Sequence, residues 1–201
     1  MLRKISIFLI LLIFVTSCGQ RTGKTNDFNK FFQKFNSYKA NAEITVYGNK
    51  GTSKYKVVQY FMSQSKLRIE ILEPDNLKGN IIIYNDNNKI LYNPLINEKI
   101  VLPKGQDDKF TYMGIITKEV FFNENTKAEK ERKGDIEYIK IKAAIPESNK
   151  YKKTAVLYMD EKNYYPVLME VIDEMGRTTM TVKYSSFELN PDFDESIFTI
   201  Q

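Results

Sequence analysis

Cys18 is the only thiol in this 201-residue chain. It closes the stretch Val15-Thr16-Ser17-Cys18, an aliphatic residue followed by two small ones and the cysteine. Ahead of it lie Arg3 and Lys4, then an apolar run from Ile5 to Val15 broken only by Ser6. No histidine is present, which removes Ser-His-Asp triads, Cys-His pairs and imidazole-based zinc sites. The glycines stand singly in turn-like sequence, so there is no phosphate-cradling loop. Two acidic clusters could in principle supply a carboxylate pair: Asp107 with Asp108, and Asp192 with Asp194 and Glu195. Both sit beside Gly or Pro in turn sequence, where acids are common because they bond their own backbone. The chain therefore reads as a binder, carrier or regulator, with no catalytic residue, cofactor or metal site.

The N-terminal pattern resembles a bacterial lipoprotein signal. Eleven residues, ten of them apolar, are too few to cross a hydrocarbon core of about 30 Å as a helix, but they suit the apolar region of a signal peptide. The resemblance implies that Cys18 carries a diacylglyceryl group on sulfur and that cleavage removes residues 1–17. The expected mature chain has 184 residues and a net charge of +3, because Arg3 and Lys4 leave with the signal. It lies on the extracytoplasmic face of a bacterial membrane, held there by lipid. With Cys18 acylated no disulfide can form, and the fold must rest on its core. The remaining charges are interspersed, with no basic stripe and no interleaved aromatics, so nucleic acid is not expected as a partner.

Positioning elements follow from periodicity. Residues 18–26 are small and polar and are expected to form a lipidated tether. Phe28, Phe31, Phe32 and Phe35 recur at helical spacing, opposite Asn29, Lys30, Gln33 and Lys34. This predicts a helix over 26–38, capped by Asn26 or Asp27. With just two lysines beside the aromatic stripe, it is expected to pack on a sheet rather than lie on the bilayer. From Ala42 the period becomes two. Six short strands are expected between 42 and 102, joined by turns at 48–51, 85–88 and 93–97. In the third, Leu67, Ile69 and Ile71 should face inward, and Lys66, Arg68 and Glu70 outward. Residues 103–135 interrupt the pattern. Tyr112, Ile115, Ile116 and Glu119 have helical spacing and predict a helix over 110–122, and the charged stretch 123–135 reads as a solvated turn or frayed helix end. Four more strands follow between 136 and 189, then an Asn-Pro turn and a short helical turn. About ten strands and two helices make one domain, residues 27–201, of α+β class: a single large curved antiparallel sheet covered by helices.

Three segments carry a family resemblance: Ser37–Tyr47, Lys66–Leu102 and Ala155–Ile200. In order they show Tyr38-x-Ala40, Arg68-Ile69-Glu70 leading to Pro74, Tyr92-Asn93-Pro94, Tyr158-Met159-Asp160, and Tyr184 through Phe187 and Asn190-Pro191 to Phe198-x-Ile200. This order resembles the LolA-like lipoprotein-carrier superfamily, and within it the GerS type of clostridial germination lipoproteins. The resemblance implies an unclosed β-barrel with helices over an apolar concavity. It further implies a non-catalytic partner of a peptidoglycan amidase, an N-acetylmuramoyl-L-alanine amidase, acting on spore cortex in sporulation and germination. The alternative is a carrier that binds lipid or lipoprotein on the concave face. A homodimer and a lipid ligand stay open. A protein acylated at Cys18 cannot readily leave its membrane with cargo, which sets it apart from a soluble shuttle.

Overall fold

The computed structural model describes residues 23–63, 66–85, 88–103, 113–123 and 126–200. Among them eleven strands form one antiparallel sheet. They are β1 (Ser37–Gly48), β2 (Gly51–Met62), β3 (Lys66–Glu73), β4 (Ile81–Tyr84), β5 (Asn88–Asn93), β6 (Glu98–Pro103), β7 (Lys127–Lys133), β8 (Ile136–Asn149), β9 (Lys152–Asp160), β10 (Pro166–Ile172) and β11 (Thr178–Leu189). Their order is β6-β5-β4-β3-β2-β1-β11-β10-β9-β8-β7. Each hairpin pairs with its sequence neighbour, and the one long-range junction joins β1 to β11. The sheet is unclosed, with β6 and β7 as its edges.

The inner face is built from cross-strand rows. Ile44, Val182, Met169, Leu157 and Ile141 oppose one another across β1, β11, β10, β9 and β8. All five are 0 % exposed. Such directly opposed pairs are the unit of sheet stabilisation. Helix α1 (Gly23–Lys34) lies on this face, with Phe32 and Phe35 buried and Phe28 and Phe31 half-buried. It packs on the sheet, as expected. It begins at Gly23, however, inside the stretch read as tether, so Asn26 and Asp27 lie within the helix rather than capping it. Asn190 fastens its far end: the side-chain Oδ1 accepts from the Asn36 and Ser37 backbone N–H groups (2.9 and 3.1 Å), and Nδ2 donates to the Lys34 carbonyl (2.6 Å).

Two expectations for residues 103–135 need correction. Of the helix read over 110–122, residues 110–112 lie outside the described residues, 113–114 form a turn, 115–117 are neither helix nor strand, and α2 spans only Lys118–Phe121. The charged stretch at 123–135 is not a turn or helix end but contains edge strand β7, paired with β8 along its whole length. Its residues favour helix, but pairing with a long neighbour overrides local propensity. Lys140 on β8 bridges Glu131 (2.6 Å) and Glu129 (3.5 Å). A charged edge of this kind discourages pairing with other chains.

Leu67, Ile69 and Ile71 are buried on the inner face. The opposite face of β3 is also covered, because the chain returns after Asn190 and packs Phe193, Ile197, Phe198 and Ile200 against Ile83 and Ile90. Arg68 donates from Nε to Glu70 (2.7 Å) and from its guanidinium to the Ile197 carbonyl (2.9 Å). Ile69→Ala is expected to cost about 2–5 kcal/mol through the cavity it leaves. Arg68→Ala should cost about 1–2 kcal/mol through two lost charge-assisted bonds. Urea melts of the two variants check this, and equal losses would contradict the register.

The β10–β11 hairpin turns on Gly176, whose φ of 81° suits glycine. Asp173 is buried beside it. Its carboxylate accepts the backbone N–H of Arg177 (2.8 Å) and Met175 (2.9 Å) and the Arg177 Nε (2.8 Å). These bonds, led by the Arg177 backbone, hold its pKa below the ordinary range. A depressed folded pKa means the contribution is complete above the unfolded value of about 3.9 and is lost as pH falls through the folded value. Below about pH 4, the urea midpoint should therefore fall more steeply for the parent than for Asp173→Asn. Parallel curves would sink this reading.

Candidate functional site

The concave face is where a carrier would hold cargo, and its floor carries a buried polar network. Tyr38 and Gln59 sit on adjacent strands and are both 0 % exposed. The Tyr38 hydroxyl donates to Gln59 Oε1 (3.2 Å) and accepts the Ile116 backbone N–H (3.2 Å). Gln59 Nε2 donates to the Met113 carbonyl. On β11, the Tyr184 hydroxyl donates to the Gly114 carbonyl at 2.6 Å. Burial pushes both tyrosine hydroxyls well above their usual pKa, so they act as neutral hydrogen-bonding groups.

These three side chains hold residues 113–117, a turn at Met113 and Gly114 followed by three residues outside helix and strand, as a strap across the inner face. Gly114 has φ +67° and faces Val182 so closely that a Cβ at this position would stand 2.4 Å from it. Ile115 and Ile116 enter the core, and Thr117 then caps α2 by accepting the Val120 N–H at 3.3 Å. The helical spacing of Ile115 and Ile116 misled because these backbone groups bond to the sheet's side chains instead of to each other. The network carried one legible signal: Gln59 stands at an inward position of an otherwise apolar strand.

Phe32, Phe35, Phe61, Ile115, Ile116 and Phe121 are all buried between the sheet, α1, the strap and α2. Phe32 stacks on Phe122 with ring centroids 3.5 Å apart. Open space survives as surface grooves. One of about 410 Å³ runs between α1 and α2, lined by Phe28, Phe32, Gln33, Lys118, Phe122 and Asn123. Another of about 190 Å³ lies on the inner side of β4 to β6.

Cys18, Asp107 and Asp108 lie outside the described residues. Asp192 is exposed and is not brought together with a catalytic partner. Asp194 caps a short helical turn through the Ser196 N–H (2.9 Å), the main cause of its lowered pKa. Glu195 bridges Lys66 at 2.6 Å. This cluster is thus used to pin the returning C-terminal segment. Among the described residues no three Cys, Asp or Glu side chains are grouped to hold a metal.

A family model described as sporulation protein YdcC-like matches residues 1–198. The chain belongs to the YdcC-like sporulation family. The sporulation protein YdcC of Bacillus subtilis is 21% identical over 196 residues, covering 94% of this chain. The chain spans 57% of that relative's length. Among solved structures, this YdcC-like chain is similar to a chain of the CwlD amidase from Clostridioides difficile in complex with the GerS lipoprotein. That match has 28% identity and a TM-score of 0.50, over 87% of this chain and 98% of that one. A putative outer membrane lipoprotein-sorting protein domain from Vibrio parahaemolyticus shares the fold at 11% identity, TM-score 0.50, over 86% and 94% of the two chains. An uncharacterized conserved protein from Thermus thermophilus does so at 15% identity, TM-score 0.54, over 86% and 92%. The LolA-like architecture expected from the sequence is therefore the observed one, and the GerS resemblance holds along nearly the whole domain.

Proposed function

We propose that this protein is a membrane-anchored, extracytoplasmic, non-catalytic partner of a peptidoglycan amidase, working in sporulation and germination. The observation that carries the reading is the match, at 28% identity and over 87% of the chain, to a structure of an amidase bound to the GerS lipoprotein. Membership of a sporulation family points to the same setting. The acidic cluster at Asp194 and Glu195 is occupied in holding the fold, which agrees with a role apart from catalysis. Between the sheet, α1 and the strap the inner face is filled by side chains, which favours a partner over a carrier, because an acyl chain there would have to displace the strap and its buried bonds.

The lipid belongs to this reading. Cys18 precedes the first turn of α1 by five residues, a reach of at most roughly 18 Å. Phe28 and Phe31 of α1 lie against Tyr164, just beyond the end of β9. A lipid on Cys18 would thus hold that end of the sheet close to the membrane. Co-purification of the full chain from sporulating cells tests the partnership. An amidase should be enriched in stoichiometric amount, and its absence alongside co-purified lipid would favour the carrier instead.

A further inference from the structure

The two edges of the sheet differ in chemistry. Edge β7 carries Lys127, Glu129, Lys130, Glu131, Arg132 and Lys133, of which Glu129 and Glu131 pair with Lys140 on β8, Lys130 with Glu161, Arg132 with Asp135, and Lys133 with Glu131 of the same strand. Edge β6 carries Ile100, Val101 and Leu102, which are 46 %, 50 % and 39 % exposed. Among the described residues β6 pairs only with β5. Its apolar side chains continue rows that are buried further in. Ile69, Ile82, Leu91 and Ile100 form one row on the inner face, and Ile83, Ile90 and Val101 one on the outer face. Both rows stop at the edge with their last member in solvent. The groove of about 190 Å³ opens beside Ile100, walled by Ile71, Ile82 and Leu91.

We propose that β6 is a docking edge that takes an extended segment of a separate protein as a further strand. Main-chain bonds along the edge would supply affinity, and the groove would take an apolar side chain of the added strand. The charges at the start of β6 state its chemistry. Glu98 and Lys99 point to opposite faces, and Lys99 Nζ already donates to the Ile200 carbonyl at 3.1 Å, so the segment should present a basic residue against Glu98 and three apolar residues against Ile100 to Leu102. A second copy fits less well. In a two-fold pair centred on Ile100, Glu98 meets Leu102 and Lys99 meets Val101. Both charges then face apolar partners. The proposal rests on the reading that this chain has a protein partner, but not on which protein that is.

The test places a photo-crosslinking benzoylphenylalanine at Val101, and separately at Lys130 on the β7 edge, in the full chain in sporulating cells of its own organism. Mass spectrometry maps the adducts, and the protein captured is then purified. Hydrogen exchange of the full chain is read with and without it. The expected result is a Val101 adduct on a segment with the stated apolar and charged pattern, and slowing of the 98–103 amides by roughly tenfold or more. Both should be lost in Ile100→Lys, whose melt should match the parent because Ile100 is half in solvent. No adduct, an adduct on residues 104–112 of the same chain, an adduct on 98–103 of a second copy, or an adduct without slowed exchange each overturns the proposal. A β6 adduct on a protein other than an amidase keeps the docking edge and overturns the amidase reading. An amidase complex that leaves the β6 amides exchanging freely does the reverse.

Discussion

Replacing Gly114 with alanine is expected to destabilise the domain by about 2–5 kcal/mol. Two effects combine. The residue sits at φ +67°, a left-handed conformation that costs a side-chain-bearing residue about 1–2 kcal/mol. Its added Cβ would also stand 2.4 Å from Val182 Cγ2 and 2.9 Å from Val182 Cβ. Overpacking of this kind typically costs about 1–3 kcal/mol. Neither side can yield easily. Val182 stands within the fully buried row, between Ile44 and Met169, and the Gly114 carbonyl is held by Tyr184. The strap cannot back away without breaking the bonds to Tyr38 and Gln59 as well. A double-mutant cycle makes the claim specific. Val182→Ala alone should destabilise by leaving a cavity, but combined with Gly114→Ala it should cost less than the sum, because the two closest contacts, to Cγ2 and Cγ1, are removed and only Cβ remains. Urea melts of the four proteins measure this. A silent Gly114→Ala, or strict additivity, would contradict the account of the strap.

Cys18→Ser is expected to abolish lipid attachment and to move the protein from membrane to soluble fractions. The sequence reason is the resemblance of residues 15–18 to the cleavage motif of a bacterial lipoprotein signal. The size of the effect follows from burial at about 0.8 kcal/mol per methylene, so two or more acyl chains anchor far more firmly than any contact this domain's mild charge could make. Metabolic labelling with a clickable fatty acid reads it directly, with fractionation alongside. Label persisting on the serine variant would overturn the lipoprotein reading. Loss of label with full membrane retention would show a second anchor.

Most strands were legible because one face of each is buried against the core. Leu67, Ile69 and Ile71 alternate with Lys66, Arg68 and Glu70, and the sheet keeps that alternation. The resemblance added the unclosed topology, which no local pattern contains: the β1–β11 junction joins residues some 140 apart. What could not be read depended on partners distant in sequence. The strap at 113–117 looks helical until Tyr38, Gln59 and Tyr184 offer its backbone other bonds. Strand β7 is charged on both faces because it is an edge, and a two-sided polar strand has no period to detect. The return of Phe193 to Ile200 over the outer face explains why Arg68 is half-buried, and β3 alone gives no hint of it. At the candidate site, the lone Gln59 was the one visible sign of a buried network.

The most direct test of the central claim is reconstitution with the amidase of the same organism. Release of peptide stems from peptidoglycan is measured with the full chain alone, with the amidase alone, and with both. A partner can raise activity only by binding the enzyme's active form more tightly than its inactive form. The account predicts no release from this chain alone, a stable complex, and a faster amidase when both are present. Release by this chain alone would contradict its non-catalytic role, and a mixture with neither a complex nor a change in rate would contradict the partnership.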